Sequence, residues 1–189
     1  METSASAGRD TATATLEAFA DTIVPGERRD PGDRAVAGAA PGPGAVAAGA
    51  LALLRNPATG VTDGLDGYVE ALNRHAVAHA REHGRVLDET VPPFVALDFA
   101  DRTALVRTLT SPEHPEKELW VLLALFCNMA FDTAAHLPTL DAIRAGHPGL
   151  ATMGFAPPDR DGLWRFPAFS YRRELAPIHP GTTSTGSPA

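Results

Sequence analysis

The stretch from Leu119 to Phe131 constrains the fold more than any other part of this chain, because it is apolar on every side. Its sequence is LWVLLALFCNMAF, with Asn128 as the only polar residue. A helix that is hydrophobic all round has no face to present to water, so other elements must enclose it. Asp132 ends the apolar run before it reaches the roughly 20 residues that a membrane-spanning helix needs. The sequence therefore predicts a buried central helix over residues 116–135.

The rest of the chain predicts further helices and no strand. Leu16, Phe19 and Ile23 recur at helical spacing before Pro25, and Asp98 with Asp101 has the spacing of an N-terminal cap. No segment alternates polar and apolar residues over the length of a strand. The stretch 25–44 is dense in Pro and Gly, a composition that can still lie ordered against a surface. We therefore predict an all-α single domain of about five or six helices around the central helix, with long Pro/Gly-rich ordered loops.

Composition divides the chain into four segments. Residues 1–12 are expected to form a disordered tail, residues 13–145 the helical domain, residues 146–180 an extended C-terminal arm rich in Pro, Gly and aromatics, and residues 181–189 a disordered end. Aromatic side chains concentrate binding energy at protein interfaces. We therefore expect the arm to bind a partner through five residues, unless these fold back over the helices: Phe155, Trp164, Phe166, Phe169 and Tyr171.

Charge and cysteine content narrow the possible functions. The 189 residues include 16 basic and 23 acidic ones, and the net charge of −7 argues against nucleic acid or an anionic membrane as a partner. The single cysteine, Cys127, lies in the most apolar stretch, where a thiol behaves as a small inert hydrophobe. The first residues carry neither a basic leader nor an apolar core, so we expect no export signal and a cytoplasmic location.

A metal site between two helices is the main candidate for chemistry in the sequence itself. His79 and His83 continue the buried face of one predicted helix, and Asp132 and His136 are spaced i, i+4 at the end of the central helix. Imidazole with carboxylate suits zinc, iron or manganese. The alternative is that His79 and His83 are hydrogen-bonded residues at a helix end. Asp132 could instead orient His136 as a general base, although no nucleophile accompanies the pair.

Several phrases resemble the gluconate 2-dehydrogenase subunit 3 family, and they occur in the family's order. The segment LEAFADTIVP, from Leu16 to Pro25, is similar to that family's opening helix and its "DTIIP"-like ending. The segment FVALDFADRTALVR, from Phe94 to Arg107, is similar to its "F..L....R..L" phrase. MGFAP, from Met153 to Pro157, resembles its "GYPG"-like turn, and the stretch 169–171 its closing aromatics. The resemblance covers roughly residues 15–172 and looks like an actinobacterial branch of uncharacterised relatives.

The resemblance implies a function that the residues alone do not. Such subunits accompany a larger flavoprotein oxidoreductase of the glucose-methanol-choline class and hold no flavin themselves. This chain is therefore expected to be a non-catalytic small subunit that docks on and stabilises that flavoprotein, with FAD bound by the partner and no cofactor bound by the chain. The sequence departs from many members because it lacks their amino-terminal export signal. The alternative is a stand-alone metal-dependent or small-molecule enzyme that uses the His/Asp set.

Overall fold

The computed structural model describes residues 2–155, Pro157, Pro180 and Gly181, with side chains from residue 11 onward. The protein is all-α, as predicted. The described part contains eight α-helices and two short 3-10 helices, Pro57–Thr59 and Thr62–Gly64. The α-helices are α1 (Glu2–Ile23), α2 (Ala50–Leu54), α3 (Leu65–Glu82), α4 (Pro93–Ala96), α5 (Phe99–Leu109), α6 (Lys117–Asp132), α7 (Thr139–Arg144) and α8 (Pro148–Thr152). The chain divides into two compact units, residues 1–155 and 156–189, and the architecture below is that of the first.

The ends of the first unit differ from the boundaries expected from composition. Helix α1 begins at Glu2, where a disordered tail over residues 1–12 was expected. Extending a helix adds one hydrogen bond for each residue fixed, so a helix anchored further on can continue through a weakly patterned segment. At the other end α8 forms within the stretch expected to be an extended arm, and it packs on α6. The helical unit therefore continues past residue 145 to Phe155.

Three aromatic rings from three helices meet at the centre of the core. Phe19 of α1 lies 6.5 Å from Phe94 of α4 and 6.3 Å from Trp120 of α6, measured between ring centroids. All three side chains are fully buried. Tilted aromatic pairs at this separation add to the free energy gained by burying the rings. This cluster therefore packs α1 against the predicted central helix, although most of the described sequence lies between the two helices.

Helix α6 is central, as predicted, but only one of its faces is enclosed. It packs against α1, α2, α5 and α8. Its buried side chains are Trp120, Leu123, Cys127 and Ala130. The small residues among them allow α2 to approach closely. Burial raises the pKa of the Cys127 thiol to about 12, which makes Cys127 an inert core residue. Within the described residues, no helix is long and apolar enough to cross a membrane.

The Pro/Gly-rich stretch 25–44 is ordered against the helices by buried polar side chains. Asp21, at the end of α1, accepts hydrogen bonds from the amides of Gly26 and Ala37 at 3.2 and 2.8 Å. Burial raises the pKa of Asp21, and these amide hydrogen bonds oppose that shift. Gly26 and Gly44 pass so close that a Cβ atom on either would collide with the other's backbone. The loop is therefore a fixed part of the fold, as its composition allowed.

Arg102 of α5 holds the same loop from the other side. Arg102 as a whole residue is 3% exposed. It donates four hydrogen bonds of 2.6–3.0 Å, all to backbone carbonyls, those of Arg34, Ala35, Val95 and Leu97. Burial lowers the pKa of this guanidinium, and nearby Asp21 opposes that shift. Arg102 thus satisfies carbonyl oxygens that irregular backbone would otherwise leave buried without partners.

Candidate functional site

His79 and His83 form the first half of the predicted metal set, and they lie together at the C-terminal end of α3. Their rings stack with centroids 4.2 Å apart. Nδ1 of His83 donates to the carbonyl of His79 at 2.9 Å, because a carbonyl can only accept. Nε2 of His79 is buried, has no hydrogen-bond partner and lies 3.7 Å from Asp101. For His83, this arrangement agrees with the alternative that it is a hydrogen-bonded histidine at a helix end.

Asp132 and His136, the second half of that set, lie at the far end of α6. A buried oxygen of Asp132 and Nδ1 of His136 both lack hydrogen-bond partners. Burial lowers the pKa of His136, and neighbouring His147 lowers it further. The His136 ring occupies the space beside Gly49, where a Cβ atom would collide with it. A side chain at residue 49 would therefore displace this histidine.

The structure does not bring the two halves of the predicted metal set together. His75, one turn before His79 on α3, contacts Glu116 at the start of α6. Asp132 is sixteen residues further along α6, about 24 Å away at 1.5 Å per residue. Helical periodicity placed His79 on the buried face of α3 correctly, but His83 is exposed, and periodicity could not show which end of α6 this face would meet. The predicted set of His79, His83, Asp132 and His136 is therefore not one site.

A different group of potential ligands is assembled where α3 meets the start of α6. Among the described residues, His75, His114 and Glu116 are the only three His, Cys, Asp or Glu residues whose ligand atoms all lie within 4.8 Å of one another. At 100° per residue His75 lies on the flank of the buried face of α3, and none of the three residues belongs to the predicted set of His79, His83, Asp132 and His136. The close spacing of His114 and Glu116 is visible in the sequence, but their meeting with a residue about 40 positions earlier is not.

His147 is buried, and no motif or spacing in the sequence singled it out. Its Nδ1 accepts the amide hydrogen of Leu150 at 3.3 Å and so caps α8. Its Nε2 then carries the proton and donates to the carbonyl of Ala48 at 2.9 Å. Both ring nitrogens have backbone partners. His147 therefore joins α8 to the segment before α2 and is not available as a ligand.

The outer face of α6, defined by Val121, Leu122 and Leu125, is apolar and exposed. These side chains are 42%, 38% and 50% exposed. At 100° per residue they point away from the buried face of Trp120 and Leu123. The prediction that a helix apolar on every side would be enclosed is therefore wrong for this face. Leu123 is buried as expected, whereas Leu122 is exposed and Phe126 is half-buried.

The predicted partner-binding residues fall mostly beyond the part of the chain that the structure describes. Phe155, the last residue of the first unit, is 45% exposed, as is expected of a residue that could meet a partner. The other four lie outside the described residues: Trp164, Phe166, Phe169 and Tyr171. Met153, just before Phe155, is 55% exposed. Apolar surface therefore continues to the point where the first unit ends.

Comparison with known proteins gives the chain a family. It belongs to DUF5987, described as a family of unknown function, whose model matches residues 10–189. No curated protein and no solved structure matches the chain. The family description names no activity, partner or ligand. Function must therefore be inferred from the residues and their geometry.

Proposed function

We propose that this protein is a non-catalytic accessory subunit that docks on and stabilises a flavin-dependent oxidoreductase of the glucose-methanol-choline class. FAD is held by that partner and not by this chain. The resemblance of the phrases at 16–25, 94–107 and 153–157 to the gluconate 2-dehydrogenase subunit 3 family suggests the class of partner. A cytoplasmic location and a role in specialised metabolism are part of the same proposal.

The outer face of α6 is the observation that carries this proposal. It presents three large aliphatic side chains on a regular helix, with exposed Glu118 before them and exposed Asn128 after them. An apolar centre within a polar border is the usual composition of a protein-binding patch. A rigid helix face also costs little conformational entropy when it binds. This face therefore supports a protein partner.

The aromatic residues of the C-terminal arm belong to the proposal on sequence grounds alone. Trp164, Phe166, Phe169 and Tyr171 are of the types that dominate interface energetics. Met153 and Phe155, which lie within the segment expected to form the arm, present apolar surface at the end of the first unit. We therefore expect the outer face of α6 and the arm to contribute separately to the docking free energy.

Co-expression with a flavoprotein oxidoreductase of the glucose-methanol-choline class from the same organism tests the proposal. Leu125→Glu puts a charge at the most exposed position of the outer face, where Glu is a good helix former and should leave the fold intact. We expect it to weaken binding by about 2 kcal/mol or more, roughly 30-fold. Val77→Glu is the matched control, since Val77 is 49% exposed on α3 and is not part of the outer face.

Two results would contradict the proposal in different ways. If the wild-type chain neither co-purifies with the flavoprotein nor alters its activity, the subunit function is wrong. If the wild-type chain binds but Leu125→Glu and Val77→Glu bind equally well, the outer face of α6 is not the docking surface. Trp164→Ala, measured in the same assay, then shows whether the arm carries the binding free energy instead.

A further inference from the structure

His75, His114 and Glu116 form a compact group at the junction of α3 and α6. Nε2 of His75 lies 2.8 Å from Oε2 of Glu116, and the rings of His75 and His114 have centroids 5.6 Å apart. Glu116 is the residue that precedes the first turn of α6, and His114 lies in the loop before it. The two histidines are half-buried, whereas the carboxylate is on the surface.

We propose that His75, His114 and Glu116 bind one divalent transition-metal ion, with zinc as the preferred ion. Two imidazoles and one carboxylate form a ligand set that suits Zn²⁺, and three protein ligands leave a fourth position open to water or a small ligand. The exposure of Glu116 places that fourth position on the solvent side. This site is independent of the proposed docking function, because none of its residues belongs to the outer face of α6.

The carboxylate is already oriented by a group that cannot move easily. Nε1 of Trp120 donates to Oε2 of Glu116 at 3.1 Å, and Trp120 is fully buried in the aromatic cluster. The His75 ring also stands edge-on to Trp120, with centroids 5.9 Å apart. Hydrogen bonds that outer groups donate to metal-binding carboxylates fix the geometry of the carboxylates and strengthen metal binding. Trp120 therefore supplies for Glu116 the kind of support seen around metal ligands.

The protonation states at this junction suit replacement of a proton by a metal. Hydrogen bonds from His75 and then from Trp120 lower the pKa of Glu116, so it is ionised at neutral pH. His75 must then donate its Nε2 proton to the carboxylate. A metal ion that binds both atoms takes the place of that proton, and His75 then carries its proton on Nδ1.

His114 must adjust more than the other two ligands. Its Nδ1 accepts the amide hydrogen of Glu116 at 3.2 Å, and coordination through either ring nitrogen breaks this long hydrogen bond. Zinc bonds of about 2.0–2.2 Å place tetrahedral ligand atoms about 3.4 Å apart, so ligand atoms that now lie up to 4.8 Å apart must approach by up to about 1.4 Å. His114 lies in the loop between α5 and α6, outside both helices.

Zinc titration of the full-length, tag-free protein by calorimetry tests this site, with zinc chloride alone as the probe. We expect one zinc per chain, and we expect His75→Ala and His114→Gln each to weaken the affinity at least 100-fold. His83→Ala is the control, because His83 lies at the end of the same helix but outside the group. The His83→Ala variant should bind zinc as tightly as the wild type does. Cobalt should give the visible absorption of a tetrahedral site in the wild type and in His83→Ala, but not in His75→Ala or His114→Gln.

Melting curves distinguish loss of a ligand from loss of the fold. Zinc should raise the melting temperature of the wild type and of His83→Ala, and it should leave that of His114→Gln unchanged. His114→Gln changes a loop residue, so its zinc-free melting temperature should equal that of the wild type. If the wild type binds no zinc, or if His75→Ala and His114→Gln both bind as tightly as it does, the proposal is wrong and the His75–Glu116 contact only joins the two helices.

Discussion

Replacing Arg102 by Met should destabilise the protein by about 3–5 kcal/mol, more than any surface substitution. Met has a similar length and no charge, so the change removes the guanidinium while filling much of its volume. Four backbone carbonyls then lose their hydrogen-bond donor, two of them in the Pro/Gly-rich loop and two around α4. Buried Asp21 also loses its nearby positive charge. The loop 25–44 should therefore loosen first.

The magnitude follows from two opposing effects. A hydrogen bond from a charged donor contributes about 1.5–3 kcal/mol, so four of them could contribute roughly 6–12 kcal/mol. Arg102 is only 3% exposed, however, and removing an ion from water costs several kcal/mol. The net effect is the difference between this gain and this cost. Loss of one partner from a buried charged network typically costs about 3–5 kcal/mol, which is of the same size as that difference. We use that range for Arg102→Met.

Urea denaturation followed by circular dichroism measures the effect. Arg107→Met is the matched control, because it makes the same substitution on the same helix at an exposed position. We expect the control to change the free energy of unfolding by less than about 0.5 kcal/mol. A difference of less than about 1 kcal/mol between the two variants would falsify the role assigned to Arg102. It would show that the loop does not depend on this guanidinium.

Two further substitutions test the packing of α8 and the acid stability of the loop. Gly149→Ala should destabilise by about 1–3 kcal/mol, because its Cβ would collide with the Phe131 carbonyl, whereas Gly67→Ala on α3 has open space and should stabilise by about 0.5–1 kcal/mol; equal denaturation midpoints would contradict both. Burial alone would raise the pKa of Asp33, but hydrogen bonds from Arg29 and the Val36 amide hold it below its usual value. Its ionised form therefore stabilises the protein above about pH 4, and this contribution is lost as pH falls further. Asp33→Asn should flatten the decline in unfolding free energy below pH 4, measured by urea denaturation at several pH values, and an unchanged pH profile would show that Asp33 does not contribute.

Local chemistry explains which parts of the fold could be predicted from the sequence. Asp98 caps α5 by accepting the Asp101 amide hydrogen at 2.8 Å, as their spacing indicated. The end of α1 before Pro25 and the extent of α6 likewise follow from Pro and from an uninterrupted apolar run. These features depend on residues a few positions apart. Each is therefore written within one stretch of the sequence.

Features that depend on distant residues could not be predicted in the same way. Arg102 lies in an ordinary amphipathic pattern, where Arg is normally on the surface. Two of the four carbonyls that explain its burial, those of residues 34 and 35, are distant in the sequence. The meeting of His75 with Glu116 likewise depends on how α3 crosses α6. The apolar composition of α6 showed how much surface favours burial, but not that one face would stay uncovered in the first unit. Periodicity predicts faces, whereas packing decides what each face meets.

The two proposals concern opposite sides of one helix, so each can fail without affecting the other. Glu116 immediately precedes α6, and its carboxylate accepts a hydrogen bond from Trp120, which lies on the buried side of the helix. Leu122 and Leu125 point the other way, and no hydrogen bond in the described part of the chain joins them to the histidines. Trp120 fixes the carboxylate while Leu123 and Cys127 fix the helix in the core. The buried face of α6 thus fixes the helix in the core. The proposed metal ligand Glu116 lies at the start of this helix, and the rigid apolar surface lies on its outer side.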